Sequence, residues 1–197
     1  MLFVTGMATF PIRNIHINTS TFTPLKNEPV KGAKVFISES VKQLSQAQEK
    51  LLELRNKYFK DLSLTDKLLI KLGLKKDISP SMAILDYIGA EPVKLVGKNT
   101  ISIASYGYKE QLKIKKLGLT EADALKHVSS VRRNADFNDS ELTDLQNIRD
   151  VGNNLYLAYS KVKNINNLEY VGRHVYINEN LSEKDFANTY VTGCILR

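Results

Sequence analysis

Few residues of this 197-residue chain have the type and spacing that catalysis needs. The three histidines lie far apart in sequence, and Cys194 is the single cysteine. His174 precedes Cys194 by twenty residues, so a chain that repeats at this interval would place the two on adjacent strands. A thiolate stabilised by an imidazole is a nucleophile, which makes this pair the one candidate for covalent chemistry. The alternative, which the sequence favours, is that both residues occupy a repeat position shared with Asn134 and Asn154.

The remaining motifs of enzymes are missing from the sequence. We find no H-E-x-x-H, no C-x-x-C, no G-x-x-x-x-G-K-S/T and no G-x-G-x-x-G. A single cysteine also excludes a disulfide-stapled secreted scaffold and a cysteine-rich zinc site. We therefore expect a protein that is not an enzyme, with neither a metal ion nor a cofactor.

The sequence carries no sign of a membrane span or an export signal. No apolar run reaches the roughly 20 residues that a spanning helix needs. The first residues lack the basic and apolar regions of a signal peptide. We expect a cytoplasmic protein without a membrane partner.

Positive charge is concentrated in the first two thirds of the chain. The formal net charge is +7, of which residues 1–128 carry +8 and residues 129–197 carry −1. A basic face can bind the phosphates of nucleic acid, so nucleic-acid binding is an alternative function. Acidic residues interleaved along the same helices favour an ordinary solvated face instead. The candidate anion-binding residues are Lys71, Lys75, Lys76, Lys113, Lys115 and Lys116.

A twenty-residue repeat defines the last third of the chain. Three series of apolar residues recur in register: Val131, Val151, Val171 and Val191; Ala135, Leu155, Val175 and Ile195; Phe137, Leu157 and Ile177. Alternation within Leu155-Tyr-Leu157 and Val175-Tyr-Ile177 points the outer residues inward and the tyrosines outward. These features predict a solenoid whose coils stack their apolar positions on one another.

The repeat unit Val151-Gly-Asn-Asn-Leu-Tyr-Leu-Ala-Tyr-Ser-Lys-Val-Lys-Asn-Ile-Asn-Asn-Leu resembles a short bacterial and phage variety of leucine-rich repeat. The resemblance extends from Ser130 to about Ile195. It implies a solenoid fold and, together with the small size of the chain, raises a further alternative, an inhibitor from a mobile element that blocks a larger bacterial or host complex. Ser182-Glu-Lys-Asp-Phe-Ala departs from the pattern and predicts a short capped helix before a C-terminal cap.

Outward positions of the solenoid strands form the best candidate binding surface. Tyrosine offers a large contact area at low entropic cost and is enriched in interface hot spots. Two tyrosines aligned on adjacent coils therefore indicate a protein-binding ridge. The candidate protein-binding residues are Asp136, Asn154, Tyr156, Tyr159, His174, Tyr176 and Asn178.

Upstream of the repeat, apolar spacings of three and four predict helices. We expect them at 38–62, at 64–72 before Gly73, from a Ser79 cap to Gly89, and from a Thr120 cap onward. Alternation in Phe10–Thr19, with Val35–Ile37, predicts a β-hairpin. The first helix could pair with a second copy or pack within its own chain, which leaves the oligomeric state open. Residues 91–105 are a candidate for a degenerate first coil, because 95–104 echoes 151–158 with an insertion.

These observations predict an α+β protein in two parts. Residues 1–128 form a basic, mainly helical region with an N-terminal hairpin, and residues 129–197 form a leucine-rich-repeat-like solenoid of three to four coils with a C-terminal cap. The expected function is non-enzymatic recognition of a partner protein through the solenoid strand face, the basic helices, or both.

Overall fold

The structure, a computed structural model, describes the backbone of residues 31–95 and 98–197, and side chains within these ranges from residue 45 onward. The chain forms two units, Met1–Ser38 and Glu39–Arg197. The predicted strand at Phe10–Thr19 lies outside the described residues. The predicted strand at Val35–Ile37 is wrong, because these residues belong to a helix that continues to Lys60. Local alternation of three residues is too short a signal to outweigh the helical sequence that follows them.

Within the described residues, five α-helices precede or interleave with the first strands. They are α1 (Lys31–Lys60), α2 (Leu64–Lys71), α3 (Ser79–Ile88), α4 (Tyr108–Lys116) and α5 (Glu121–Leu125). Thr120 caps α5 as predicted, since its hydroxyl accepts the amide of Asp123 at 3.1 Å. Ser79 is the first residue of α3 and not its cap, a position that Ile78 takes. Gly89 ends α3 in the left-handed conformation with a φ of 88°.

The predicted solenoid is confirmed, with about three turns of twenty residues. One sheet contains β1 (Val93–Lys94), β2 (Ile101–Ile103), β3 (Val128–Val131), β5 (Asp150–Val151), β7 (Tyr170–Val171) and β9 (Tyr190–Val191). The other contains β4 (Ala135–Asp136), β6 (Leu155–Tyr156), β8 (Val175–Tyr176) and β10 (Ile195–Leu196). Apart from the antiparallel pair β1–β2, neighbouring strands are parallel. We call the two sheets sheet A and sheet B.

Residues that precede the repeat form a first layer of strand pairing against β3 and β4. Ile103 pairs with Val131, and Tyr106 forms a parallel bridge with Ala135. The position equivalent to Val151 is therefore Ile103. Val93–Lys94 folds back antiparallel onto β2, so this segment makes a hairpin at the edge of the layer.

One apolar core is shared by the helices and the coils. Leu85 and Ile88 of α3 and Leu125 of α5 are fully buried in the same cluster as Phe137 and Leu157 of the coils. Tyr106 packs on Phe137 with ring centroids 5.2 Å apart, and its hydroxyl donates to Glu121 at 2.6 Å. The helices thus cover the end of the solenoid at the first layer, where an uncovered coil would expose its apolar face.

The C-terminal coil is interrupted by the short capped helix that the sequence predicts. It is a 3₁₀ turn, Glu183–Phe186, with a capping box between Ser182 and Asp185. Hydrogen bonds from both the amide and the hydroxyl of Ser182 lower the pKa of the Asp185 carboxyl, with the backbone bond the larger cause. Phe186 fills the core from this turn.

Candidate functional site

Sheet B presents one column of outward side chains. Asp136 pairs in register with Tyr156, Tyr156 with Tyr176, and Tyr176 with Leu196. We call these four residues the tyrosine ridge. The residue preceding each of them points inward, as the alternation along a strand requires. Ala135, Leu155 and Val175 are buried at these inward positions.

The two central tyrosines stack on each other. Their ring centroids lie 4.8 Å apart with an angle of 9° between the ring planes. Asn154 donates its side-chain amide to the Tyr156 hydroxyl at 3.1 Å, and the ring of His174 meets Tyr176 edge-on at 6.5 Å. These contacts hold the two rings in place, so less side-chain entropy is lost when a partner binds them.

A ladder of side chains runs alongside the ridge. Asn134 accepts the amide of Asn154 at 3.2 Å, Asn154 accepts the amide of His174 at 3.1 Å, and the Nδ1 atom of His174 accepts the amide of Cys194 at 3.1 Å. Each rung joins a side chain of one coil to the backbone of the next. The shared repeat position of these residues therefore has a structural use, the pairing of consecutive coils.

This ladder also places the predicted Cys194–His174 pair. His174 directs Nδ1 at the backbone amide of Cys194, and the cysteine is exposed. The nitrogen that would withdraw a proton from a thiol already accepts a hydrogen bond. The geometry thus fits the favoured interpretation, in which both residues hold coils together.

Asn178 does not belong to the exposed surface. It is 4% exposed, and its amide nitrogen donates to the Ser160 carbonyl at 3.0 Å, the Ser160 hydroxyl at 3.2 Å and the Val162 carbonyl at 2.8 Å. The predicted outward position of Asn178 beside the ridge is therefore wrong. The chain turns inward after β8, and the buried backbone oxygens at this corner require a donor.

Tyr159 lies at the bend after β6 and is 79% exposed. Its amide donates to the side chain of Asn138 at 3.2 Å, which fixes the bend relative to the preceding coil. Tyr159 therefore exposes an aromatic ring in the bend that follows β6.

Sheet A carries a second aromatic stack, which the sequence analysis missed. Tyr170 and Tyr190 stack with ring centroids 5.9 Å apart and 11° between planes. Asp150 precedes them in the same column, and burial, followed by the charge of Glu169, raises the pKa of its carboxyl. The signal was the same twenty-residue spacing that identified Tyr156 and Tyr176, one strand earlier in each coil.

The six candidate lysines are divided between two parts of the chain, and two of them have hydrogen-bonded partners. Lys75 pairs with Asp66 at 2.6 Å, and Lys113 donates to the Ile88 carbonyl at 2.7 Å. Lys71 and Lys76 lie on α2 and the segment after it, whereas Lys115 and Lys116 lie on the last turn of α4. Two of the six therefore have structural partners, and the rest are divided between two elements.

A groove of about 570 Å³ lies between α4, the start of α5 and residues 139–142. Tyr108, Leu112 and Leu142 supply apolar surface, and Glu121 supplies a carboxylate. Glu121 already accepts hydrogen bonds from Tyr106 and Ser140. Among the described residues that line this groove there is neither a histidine nor a cysteine, and the described part of the chain holds no cluster of three metal-ligating side chains.

Comparison of the chain with protein-family models, with curated proteins and with solved structures found no match. No helix in the described part of the chain combines the length and the hydropathy that crossing a membrane requires.

Proposed function

We propose that this protein is a binding module that recognises a partner protein through the tyrosine ridge. The observation that carries the proposal is the stacked pair Tyr156 and Tyr176 at outward positions of adjacent coils. An outward tyrosine on a single strand reflects strand propensity, but two rings held parallel by neighbouring polar groups form a preorganised apolar surface with hydroxyls at its edge.

The composition of the ridge supports a protein partner. Tyrosine is enriched in hot spots, and Asp136 at the end of the ridge, with the adjacent Asn154 and His174, offers hydrogen-bonding groups at the edge, as the polar rim of an interface does. Leu196 continues the column with 40% of its surface exposed. The ridge thus combines an aromatic centre with polar flanks.

The experiment compares two matched pairs of tyrosines. The double variant Tyr156→Ala/Tyr176→Ala removes the ridge, and Tyr170→Ala/Tyr190→Ala removes the stack on sheet A. A photo-reactive phenylalanine analogue at Tyr159, carried by the otherwise unchanged chain, captures the partner from cytosolic extract for identification. The purified partner is then titrated against each variant.

We expect the ridge variant to weaken binding by about a thousandfold, since two hot-spot aromatics each contribute about 2 kcal/mol. The sheet A variant should bind as the unchanged chain does. Equal affinity of the ridge variant and the unchanged chain for the identified partner would refute the proposal, provided that both keep the same circular dichroism spectrum.

A further inference from the structure

Helix α2 exposes a row of leucines to solvent. Leu64, Leu68 and Leu72 follow one another at intervals of four residues, which places them on one side of the helix. They are 85%, 57% and 61% exposed, and none of the residues of α2 is buried. We call these three residues the leucine stripe. Isolated exposed leucines need no explanation, but three in a row on one helical face indicate a surface that meets an apolar environment.

Ion pairs fix which side of α2 faces outward. Asp66 lies about 200° around the helix from Leu64. Its two carboxylate oxygens pair with Lys75 at 2.6 Å and Lys94 at 2.7 Å. These two hydrogen bonds lower the pKa of Asp66 to about 2, so the carboxylate keeps its charge and both pairs at neutral pH. The opposite side of the helix, the leucine stripe, is thereby held towards solvent.

The flank of the stripe is basic. Lys67 and Lys71 lie about 60° and 20° to one side of Leu64 around the helix. Lys67 donates to the Lys60 carbonyl at 2.7 Å, an uncharged acceptor that leaves its positive charge in place. Asp66, the one acidic residue of α2, is on the far side. The outward face therefore combines protruding leucines with cations and carries no carboxylate from its own helix.

This chemistry differs from that of the tyrosine ridge. Leucine is under-represented in protein–protein hot spots and lysine is depleted from interfaces, whereas leucine beside lysine is typical of helices that lie in the headgroup region of a bilayer. A second copy of the chain would bring the lysines of one α2 against those of the other, without acidic residues on this face to compensate.

We infer that α2 attaches the protein to the surface of an anionic lipid bilayer, with the leucine stripe inserted among the acyl chains and Lys67 and Lys71 at the phosphates. The expectation of no membrane partner depended on the lack of a spanning segment, and it does not apply to a helix that lies on the surface. Lipid headgroup charge adds about 1 kcal/mol for each lysine near the surface, so two lysines raise the affinity about thirtyfold over a neutral bilayer.

The chain contains no tryptophan, which permits a direct test. The full chain carrying Leu68→Trp has one indole on the leucine stripe, and Leu112→Trp has one indole at the groove beside α4 as the control away from the stripe. Each protein is mixed with vesicles of phosphatidylcholine alone or of phosphatidylcholine with phosphatidylserine. Indole emission and co-sedimentation are measured at low and at physiological salt.

We expect the emission of Leu68→Trp to shift to shorter wavelength with phosphatidylserine vesicles, and that of Leu112→Trp to stay unchanged. Leu64→Ser in the Leu68→Trp chain should weaken binding about tenfold through lost apolar burial, and Lys71→Glu should weaken binding to anionic vesicles alone. Because these side chains are exposed, the unfolding temperature serves as the check that each variant folds.

Three results would overturn the inference. The first is the absence of co-sedimentation with anionic vesicles at low salt. The second is binding that Leu64→Ser leaves unchanged, which would mean attachment by charge without insertion. The third is a blue shift of Leu68→Trp that depends on protein concentration in the absence of vesicles, which would identify a second copy as the occupant of the stripe.

Discussion

Gly172→Ala tests whether the close stacking of coils determines the stability of the solenoid. A Cβ atom added at Gly172 would lie 2.8 Å from the carbonyl carbon of Gly152 and closer still to its oxygen. Ordinary contact begins at 3.4 Å, so the two coils would have to separate by about 0.6 Å or more. The amide of Gly172, which donates to Val151 at 2.8 Å, and that of Arg173, which donates to Asn153 at 3.2 Å, would both lengthen their hydrogen bonds.

The expected loss follows from these bonds. Each of the two hydrogen bonds contributes about 1 kcal/mol, and the packing lost as the two coils part contributes about 1 kcal/mol more. The expected loss in the free energy of unfolding is therefore about 3 kcal/mol. For a chain of this length, that loss lowers the unfolding temperature by about 10 °C. Thermal and urea unfolding followed by circular dichroism measure it.

Gly107→Ala is the matched control. A Cβ atom there meets the Cβ of Asp136 at 3.5 Å, an ordinary contact, and the φ of −177° is extended backbone that alanine adopts freely. Gly107 precedes α4 as its N-cap, so the control should cost less than about 1 kcal/mol. If Gly172→Ala is as stable as Gly107→Ala, the coils tolerate separation and the argument from stacking is refuted.

Three further predictions concern polar contacts. Asn178→Ala should lower the free energy of unfolding by about 2 kcal/mol, because it leaves buried oxygens without a donor. Asn166→Ala, at an exposed position, should leave urea unfolding unchanged. Equal free energies of unfolding for the two variants would contradict the role of Asn178 as a buried donor. His174→Asn should keep the unfolding temperature, since Asn134 and Asn154 show that asparagine fills the ladder position. His174→Ala should lower the unfolding temperature. A lower unfolding temperature in both variants would show that the imidazole itself is needed. Hydrogen bonds from Lys75 and Lys94 lower the pKa of Asp66 from 3.8 to about 2. Its contribution to the free energy of unfolding is therefore present above about pH 4 and is lost as the pH falls towards about 2. Asp66→Asn should flatten the acid-unfolding profile in this window, and an unaltered profile would contradict this prediction.

The repeat was readable from sequence because it has both a fixed interval and a chemical alternation. Val151 and Val171 could be aligned without knowledge of any fold, and their burial follows from stacking identical positions. The first layer at Ile103 and Tyr106 does not follow the interval, because 28 residues separate Ile103 from its partner Val131 and 29 separate Tyr106 from Ala135, where the later coils have 20.

The candidate site shows the same division. Outward tyrosines at 156 and 176 follow from strand alternation, and the structure places their rings in contact. Alternation predicts an outward Asn178 only if it continues two residues beyond β8, and the structure buries this side chain instead. A repeat with one strand per coil does not predict the stack of Tyr170 and Tyr190, because these residues lie on the other strand of each coil.

Sequence by itself determined the repeat, its twenty-residue period, the inward apolar series and the caps at Thr120 and Ser182, because each depends on residues close in the chain or spaced at a constant interval. Tertiary structure decided which way α2 faces, since the ion pairs of Asp66 join residues up to 28 positions apart. It also decided the closeness of the coils at Gly172 and the burial of Asn178. These depend on where distant backbone segments meet, which local pattern does not encode.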